Sequence, residues 1–227
     1  GHRPDDDMGR CMAASYGQPP PIVERVGTYH RRIAHRVGVI ASRESPMQHM
    51  VRGVAVHYEV VGDGRPIVML HGLPADHRLP RHHLEPVFEG RPGWRRIYLD
   101  LPGMGRSPIG EVTTLDDMLE VVLEVVDAVT DGARFALVGV SFGGYLARGV
   151  LARRSSRLDG LLLWTPAVRM GDGDRRLPPF EALERDPTVV ATVADDERMW
   201  LNVAVIQSAE TLEAFRAAVK PGILAAD

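Results

Sequence analysis

A serine set among glycines, in the segment Gly139-Val140-Ser141-Phe142-Gly143, has the surroundings of a reactive residue. The apolar run "RFALVGV" leads into it, and the helical pattern "FGGYLARGVLARR" follows it. A strand that turns directly into a helix accepts only small residues two positions before and after the serine, and the turn exposes the hydroxyl at the carboxyl edge of the sheet. We therefore predict that Ser141 is a nucleophile and that Gly139 and Gly143 are required by the turn.

Two backbone N–H groups could stabilise the negative charge that such a nucleophile creates on a carbonyl oxygen. Phe142 follows the serine at the start of a helix, where the N–H groups carry positive potential. Upstream, His71-Gly72-Leu73 follows the apolar run "PIVML", and we assign the second donor to Leu73. One such donor stabilises the transition state by about 3–4 kcal/mol. His71 is expected to fix its loop rather than to titrate in catalysis.

The elements that would position these groups alternate along the chain. Short apolar runs such as "PIVML", "RRIYL" and "RFALV" predict strands buried on both faces. Between them, apolar residues at helical spacing predict a helix over 115–129, capped by Thr113 or Thr114 and ended by Gly132. Alternation of strand and helix predicts an α/β fold with a mostly parallel sheet between two helical layers.

Composition excludes several classes of partner. The chain of 227 residues has a formal net charge of −3, which predicts no nucleic-acid partner. It lacks the roughly 18 consecutive apolar residues of a membrane span, so we expect no membrane partner. Its single cysteine, Cys11, cannot form a disulfide framework or a cysteine-based metal site, and we predict neither a metal nor an organic cofactor. With no signal-peptide pattern at the N-terminus, a cytoplasmic location is expected.

Three landmarks together resemble the α/β-hydrolase superfamily: "VMLHGLP", then "YLDLPGMGRS", then "LVGVSFGG". The resemblance covers residues 51–166. It implies an α/β/α hydrolase fold, Ser141 as nucleophile, and Leu73 and Phe142 as oxyanion donors. It also implies a small-molecule carbonyl substrate, ester-like in the first instance, and an acyl-enzyme intermediate. Asp100 to Ser107 matches the loop after the fourth strand of the family and is expected to be mainly a structural turn.

The sequence departs from this family at the other two members of the catalytic triad, which in the family follow the order Ser, then Asp or Glu, then His. All nine histidines precede Ser141; they are residues 2, 30, 35, 49, 57, 71, 77, 82 and 83. We therefore expect the chain to stop before the acid and the base, and to be inactive as it stands. One alternative is that His77, His82 or His83, in the loop after "PIVMLHG", reaches over Ser141. Another is that "TVVATVADD" is a strand with Asp195 or Asp196 as the acid.

The predicted organisation has three parts. Residues 1–46 form a poorly ordered extension, 47–166 the N-terminal part of the hydrolase core, and 167–227 the beginning of a helical lid, with helices starting near Asp186 and Ser208. Truncation would leave the strand around "LLLW" as an unpaired apolar edge. A non-catalytic binding protein or inactive fragment on the same scaffold is the competing interpretation. A dinucleotide-binding protein is excluded, because no G-x-G-x-x-G follows the first strand. The oligomeric state stays open.

Overall fold

A computed structural model describes residues 46–170 and 178–226. The predicted extension 1–46, with Cys11, lies outside the described residues except for Pro46. The strands are β1 (Pro46–Val51), β2 (Val54–Val61), β3 (Arg65–Leu70), β4 (Trp94–Leu99), β5 (Phe135–Val140), β6 (Leu158–Trp164), β7 (Glu184–Arg185) and β8 (Ile206–Gln207). The helices are α1 (Arg78–Phe88), α2 (Leu115–Val129), α3 (Phe142–Arg154), α4 (Pro187–Val190), α5 (Arg198–Val203), α6 (Ala209–Ala218) and α7 (Lys220–Ala225).

Six strands form the central sheet in the order β1-β2-β4-β3-β5-β6. The β4-β3-β5-β6 part is parallel, while β1 and β2 join it through antiparallel pairs. This confirms the mostly parallel sheet. Because the carboxyl ends of β3, β4 and β5 share one edge, the loops after Leu70, Leu99 and Val140 lie side by side there.

Helices cover both faces of the sheet, as the alternation predicted. On one face α2 and α3 pack on the larger core, where Val68, Leu99 and Leu137 are almost completely buried. On the other face α1 places Leu84 and Phe88 against a smaller cluster that includes Met69 and Tyr98. The sheet is therefore the middle of three layers, and its apolar strands are buried from both sides.

The helix boundaries follow the capping signals in the sequence. Thr114 is the N-cap of α2, and its hydroxyl accepts the Asp117 N–H at 3.1 Å while Asp117 bonds back to the Thr114 N–H. This reciprocal pair is a capping box. Asp186 caps α4, which begins at Pro187, and Ser208 caps α6. The predicted helical starts near Asp186 and Ser208 are confirmed.

The last helices form a small cluster of their own, centred on Trp200, Leu212 and Phe215. Trp200 is only 1% exposed, so it belongs to the core of this cluster. The cluster approaches the loop after β3 through Gly222 in α7, where a Cβ would come within 2.7 Å of Ala75 and Asp76 backbone atoms. Pro221 lies in the first turn of α7, so Pro221-Gly222 opens this helix.

Candidate active site

Ser141 lies between the last residue of β5 and the first residue of α3. Its backbone has φ 49° and ψ −112°, a conformation that costs a non-glycine residue about 1–3 kcal/mol. The neighbouring chain holds it from two sides. The Ser141 N–H donates to the Trp164 carbonyl at 3.0 Å, and the Ser141 carbonyl accepts the Ala167 N–H at 2.8 Å. The strained turn is thus fixed by the end of β6 and the residues after it.

The loop after β3 touches this turn through glycine. A Cβ on Gly72 would lie 2.9 Å from Ser141 Cβ and 3.6 Å from Ser141 Oγ. A Cβ on Gly143 would lie 2.5 Å from the His71 carbonyl oxygen, and one on Gly139 would lie 2.5 Å from the Gly143 carbonyl oxygen. Side chains at 139 and 143 would push α3 away from β5 and from the end of β3, and a side chain at 72 would push its loop away from Ser141. The structure therefore brings Gly72, Gly139 and Gly143 together around Ser141.

The two backbone groups predicted as oxyanion donors both lie beside this turn. Phe142 is the first residue of α3, so its N–H has no partner within the helix. Leu73 directly follows Gly72, and 47% of its surface is exposed. Within the described ranges, neither N–H donates a hydrogen bond to the protein. Both donors are therefore available to a ligand, while their catalytic role stays a prediction.

His71 is locked into the loop as a neutral side chain. The Leu101 N–H donates to His71 Nε2 at 3.0 Å, so the proton is on Nδ1, which donates to the Gly72 carbonyl at 3.0 Å. Complete burial lowers the pKa of His71. These contacts support its predicted structural role, because both ring nitrogens are used within the protein.

The other histidines after β3 occupy places that the sequence did not predict. His82 and His83 lie in α1, and His77 immediately precedes this helix. The prediction that these histidines lie in a loop is therefore wrong from residue 78 onward, where the chain is helical. The His83 ring packs edge-on against Trp164, with 5.4 Å between centroids, and its Nδ1 donates to the Leu79 carbonyl at 3.0 Å. Among the described residues, no side chain is hydrogen-bonded to Ser141 Oγ.

The segment proposed as an alternative strand is helical. Residues 187–190 form α4, and Asp195 and Asp196 lie in a 3-10 turn before α5. Asp195 pairs with Arg198 at 2.7 Å, and Asp196 pairs with Lys220 at 2.9 Å. Neither carboxylate stands at the tip of a strand of the central sheet, so the strand alternative is wrong. As expected, β6 is an edge strand of the described sheet, and its Leu162 is 49% exposed.

A buried ionic cluster that the sequence patterns did not predict lies beside the same sheet edge, and we call it the Asp100 cluster. Its members are His57, Glu59, His77, Arg81, Asp100 and Arg106. Asp100 directly follows β4 and is completely buried. One carboxylate oxygen accepts His57 Nδ1 at 2.8 Å, and the other accepts both the backbone N–H and Nδ1 of His77 at 2.8 Å. His77 Nε2 then reaches Glu59 at 3.1 Å, and Arg81 reaches the other Glu59 oxygen at 2.6 Å.

The charges of this cluster follow from its contacts. Burial disfavours the charged form of His77, but hydrogen bonds to Asp100 and Glu59 outweigh it and raise the pKa of His77 to about 9. The hydrogen bond from His77, together with the charge of Arg81, lowers the pKa of Glu59 to about 2 against the opposing effect of burial. Burial also opposes ionisation of Asp100, yet its histidine partners hold the pKa well below the usual range. At neutral pH the cluster is a network of ion pairs.

The donor set does not favour a metal ion. Ligand atoms of His57, His77 and Asp100 lie within 4.8 Å of one another, a spacing that could hold a cation. However, Nδ1 of each histidine already donates to Asp100, and His77 carries a second proton toward Glu59. A metal ligand must be unprotonated. The guanidinium of Arg106, 3.2 Å from His57 Nε2, adds a further positive charge.

Comparison with known proteins places the chain in a family. The family model for the alpha/beta hydrolase fold matches residues 65–222, and the chain belongs to this family. It is similar to the lipase LipV of Mycobacterium tuberculosis (strain ATCC 25618 / H37Rv), with 31% identity over 140 residues that cover 59% of this chain and 50% of LipV. It is also similar to the AB hydrolase superfamily protein YisY of Bacillus subtilis (strain 168), with 31% identity over 123 residues, 51% of this chain and 42% of YisY.

Among solved structures, an alpha/beta superfamily hydrolase from Oenococcus oeni PSU-1 superimposes with a TM-score of 0.73 and 26% identity, over 82% of this chain and 67% of that one. The chain spans about half the length of the curated relatives that it matches. In the part of the chain that the structure describes, every helix is too short or too polar to cross a bilayer.

Proposed function

We propose that the protein is a serine hydrolase that acts on a small-molecule carbonyl substrate, most readily an ester, through an acyl-enzyme on Ser141. The observation that carries the proposal is the strained backbone of Ser141 at the end of β5, with Gly72 in contact with it. Strained residues cluster at functional sites, because the surrounding structure must support their cost. The similarity to a lipase supports an ester-like substrate.

The proposed reaction combines attack by the Ser141 hydroxyl with stabilisation of an oxyanion by two backbone N–H groups. Ser141 Oγ attacks the carbonyl carbon, and its proton passes to a general base. The N–H groups of Leu73 and Phe142 bind the oxyanion of the tetrahedral intermediate, each contributing about 3–4 kcal/mol. When the intermediate collapses, the leaving group takes a proton and departs, and water then hydrolyses the acyl-serine ester.

We propose that the base is a histidine that follows residue 227 in the protein, preceded by its carboxylate partner. Two histidines near the turn are unsuited to the role. His71 uses both ring nitrogens in bonds to backbone groups, and His77 is an imidazolium between two carboxylates. A general base must be able to accept a proton at the pH of the reaction.

The second candidate, a non-catalytic binding protein, is favoured by the solitary hydroxyl of Ser141, which has no hydrogen-bonded base among the described residues. On this scaffold the Leu73 and Phe142 N–H groups, which have no hydrogen-bond partner among the described residues, would bind a ligand without turnover. The two functions differ in whether Ser141 becomes covalently modified.

A fluorophosphonate probe, followed by mass spectrometry of the labelled peptide, separates them. For the 227-residue chain we expect slow labelling at Ser141 and none in Ser141→Ala. Labelling at the rate of an ordinary serine hydrolase would contradict a base beyond residue 227. The protein translated through the continuing reading frame should contain an Asp…His pair and label rapidly. Failure of that longer protein to label would overturn the serine hydrolase assignment.

A further inference from the structure

A cavity of about 380 Å³ lies outside the candidate active site, next to the Asp100 cluster. Its walls come from β2, the first turn of α1, the turn after β4, and Ala217 of α6. The charged residues that line it are Glu59, His77, Arg78, Arg81 and Arg106. Four of these five carry positive charge at neutral pH.

The carboxylate oxygens around this cavity are already used. Asp100 accepts four hydrogen bonds, since Arg106 adds its backbone N–H at 3.0 Å to the three from His57 and His77. Both oxygens of Glu59 are bonded, one to His77 and one to Arg81. The carboxylate behind Arg78, completely buried Asp76, accepts the Arg78 backbone N–H at 2.9 Å and its guanidinium at 2.5 Å.

The donor atoms are in excess. A guanidinium has five N–H groups. Within the described residues, the Arg106 side chain is engaged only through one terminal nitrogen, which lies 3.2 Å from His57 Nε2 and 3.7 Å from a Glu59 oxygen, and the side chain is 50% exposed. The Arg78 side chain likewise bonds only through one terminal nitrogen, to Asp76, and is 35% exposed. Nε and the second terminal nitrogen of both arginines, which line the cavity, therefore carry N–H groups with no hydrogen-bond partner among the described residues.

The net charge of the groups around the cavity also favours an anion over a cation. Positive charges on Arg78, Arg81, Arg106 and His77 face negative charges on Asp76, Glu59 and Asp100, which leaves one net positive charge. A cation would meet this excess charge and saturated carboxylates. An anion would meet unused N–H donors on two separate walls.

We propose that this cavity binds a phosphate group, either as inorganic phosphate or as a phosphate monoester of a small molecule. The planar fork of a guanidinium matches the oxygens of a phosphate, and two forks can engage different oxygens of the same group. A cavity of 380 Å³ also has room for the organic part of a small monoester. The site is independent of Ser141, so it stands or falls separately from the proposed hydrolase activity.

Isothermal titration calorimetry of the 227-residue chain, at constant ionic strength, tests the proposal with inorganic phosphate and with glycerol 3-phosphate. We expect saturable binding at one site, with tighter binding of glycerol 3-phosphate if the organic part contributes and equal binding if only the phosphate is recognised. Arg106→Gln should weaken binding about tenfold, the effect of one lost charge-assisted contact. The control is Arg148→Gln, an exposed arginine at a different cavity, which should change binding less than twofold.

Absence of saturable binding to either compound would overturn the proposal, as would equal weakening by Arg106→Gln and Arg148→Gln. Thermal unfolding checks that each variant is folded. If Arg106→Gln does not fold, Arg106→Lys replaces it, because lysine keeps the charge but loses the fork. That variant should bind phosphate more weakly than the unsubstituted chain, and unchanged binding would contradict the assigned contact.

Discussion

Removal of the His77 imidazolium should change how stability depends on pH. His77 is 2% exposed and bonds to Asp100 and Glu59, so its proton joins two buried carboxylates. In His77→Gln the amide can donate to one carboxylate but brings no charge. Because removal of one partner leaves buried charge uncompensated, we expect a loss of about 3–5 kcal/mol of unfolding free energy at pH 6.5.

The size of the pH effect follows from the rise in the pKa of His77, from 6.5 to about 9. The folded protein holds this proton more tightly than the unfolded chain. Its contribution to stability is therefore complete below pH 6.5 and is lost as the pH rises through 9. Because a tenfold change in proton affinity corresponds to about 1.4 kcal/mol, the unsubstituted chain should lose at most about 3 kcal/mol over this interval.

Urea unfolding between pH 6 and 10, followed by circular dichroism at constant ionic strength, measures both effects. The unsubstituted chain should show a falling free energy of unfolding between pH 6.5 and 9, and His77→Gln should lack this component. The control is His49→Gln in edge strand β1, because His49 forms no ion pair among the described residues. A slope in His77→Gln equal to that of the control would refute the assignment of the proton to His77.

Three further substitutions test the turn, a helix cap and the sheet edge. Gly72→Ala should lower the free energy of unfolding by about 1–3 kcal/mol in urea, because the added Cβ would lie 2.9 Å from Ser141 Cβ. The loss should be smaller in a Ser141→Gly background, and an equal loss there would contradict the contact. Thr114→Ala should lower the free energy of unfolding by about 1 kcal/mol in the same assay, because the hydroxyl that accepts the Asp117 N–H is lost. An unchanged urea midpoint would show that this cap does not stabilise the chain. Leu162→Lys should reduce self-association measured by light scattering, because it places a charge on the exposed edge strand β6. Unaltered scattering would contradict association through this edge.

The predictable parts of the fold are those in which local signals agree with tertiary packing. β3 and β5 are continuous apolar runs, and both faces of these strands are covered. α2 combines helical spacing with the Thr114 cap, so its first residue could be read from the sequence. The turn at Ser141 was also predictable, because only glycines fit at 139 and 143 when strand and helix meet so closely.

Two elements carried no such local signal. β1 exposes Met47 and Met50, lies at the edge of the sheet and is held by its register with β2. α1 has no side-chain cap at His77 and contains Pro86, which cannot donate a helical hydrogen bond. It is held in place by apolar contacts with the sheet, which a local pattern does not reveal.

The Asp100 cluster was missed because its members are separated by up to 49 residues along the chain. One signal was present: His57 and Glu59 are two residues apart in β2, so they share a face of a strand that is otherwise largely apolar. Two polar side chains on such a face need buried partners. Which residues supply them depends on the pairing of β2 with β4, and that pairing brings Asp100 next to His57.

The contacts that hold the nucleophile turn lie within the described residues. Among the described residues, the contacts of Ser141 come from the loop after β3, from α3, and from the end of β6 and the residues after it, between His71 and Ala167. Among the described residues, the strain at Ser141 is therefore balanced without a histidine hydrogen-bonded to its hydroxyl. A base added by later strands would meet a preformed turn, so it should increase the reactivity of Ser141 with little effect on the backbone around it.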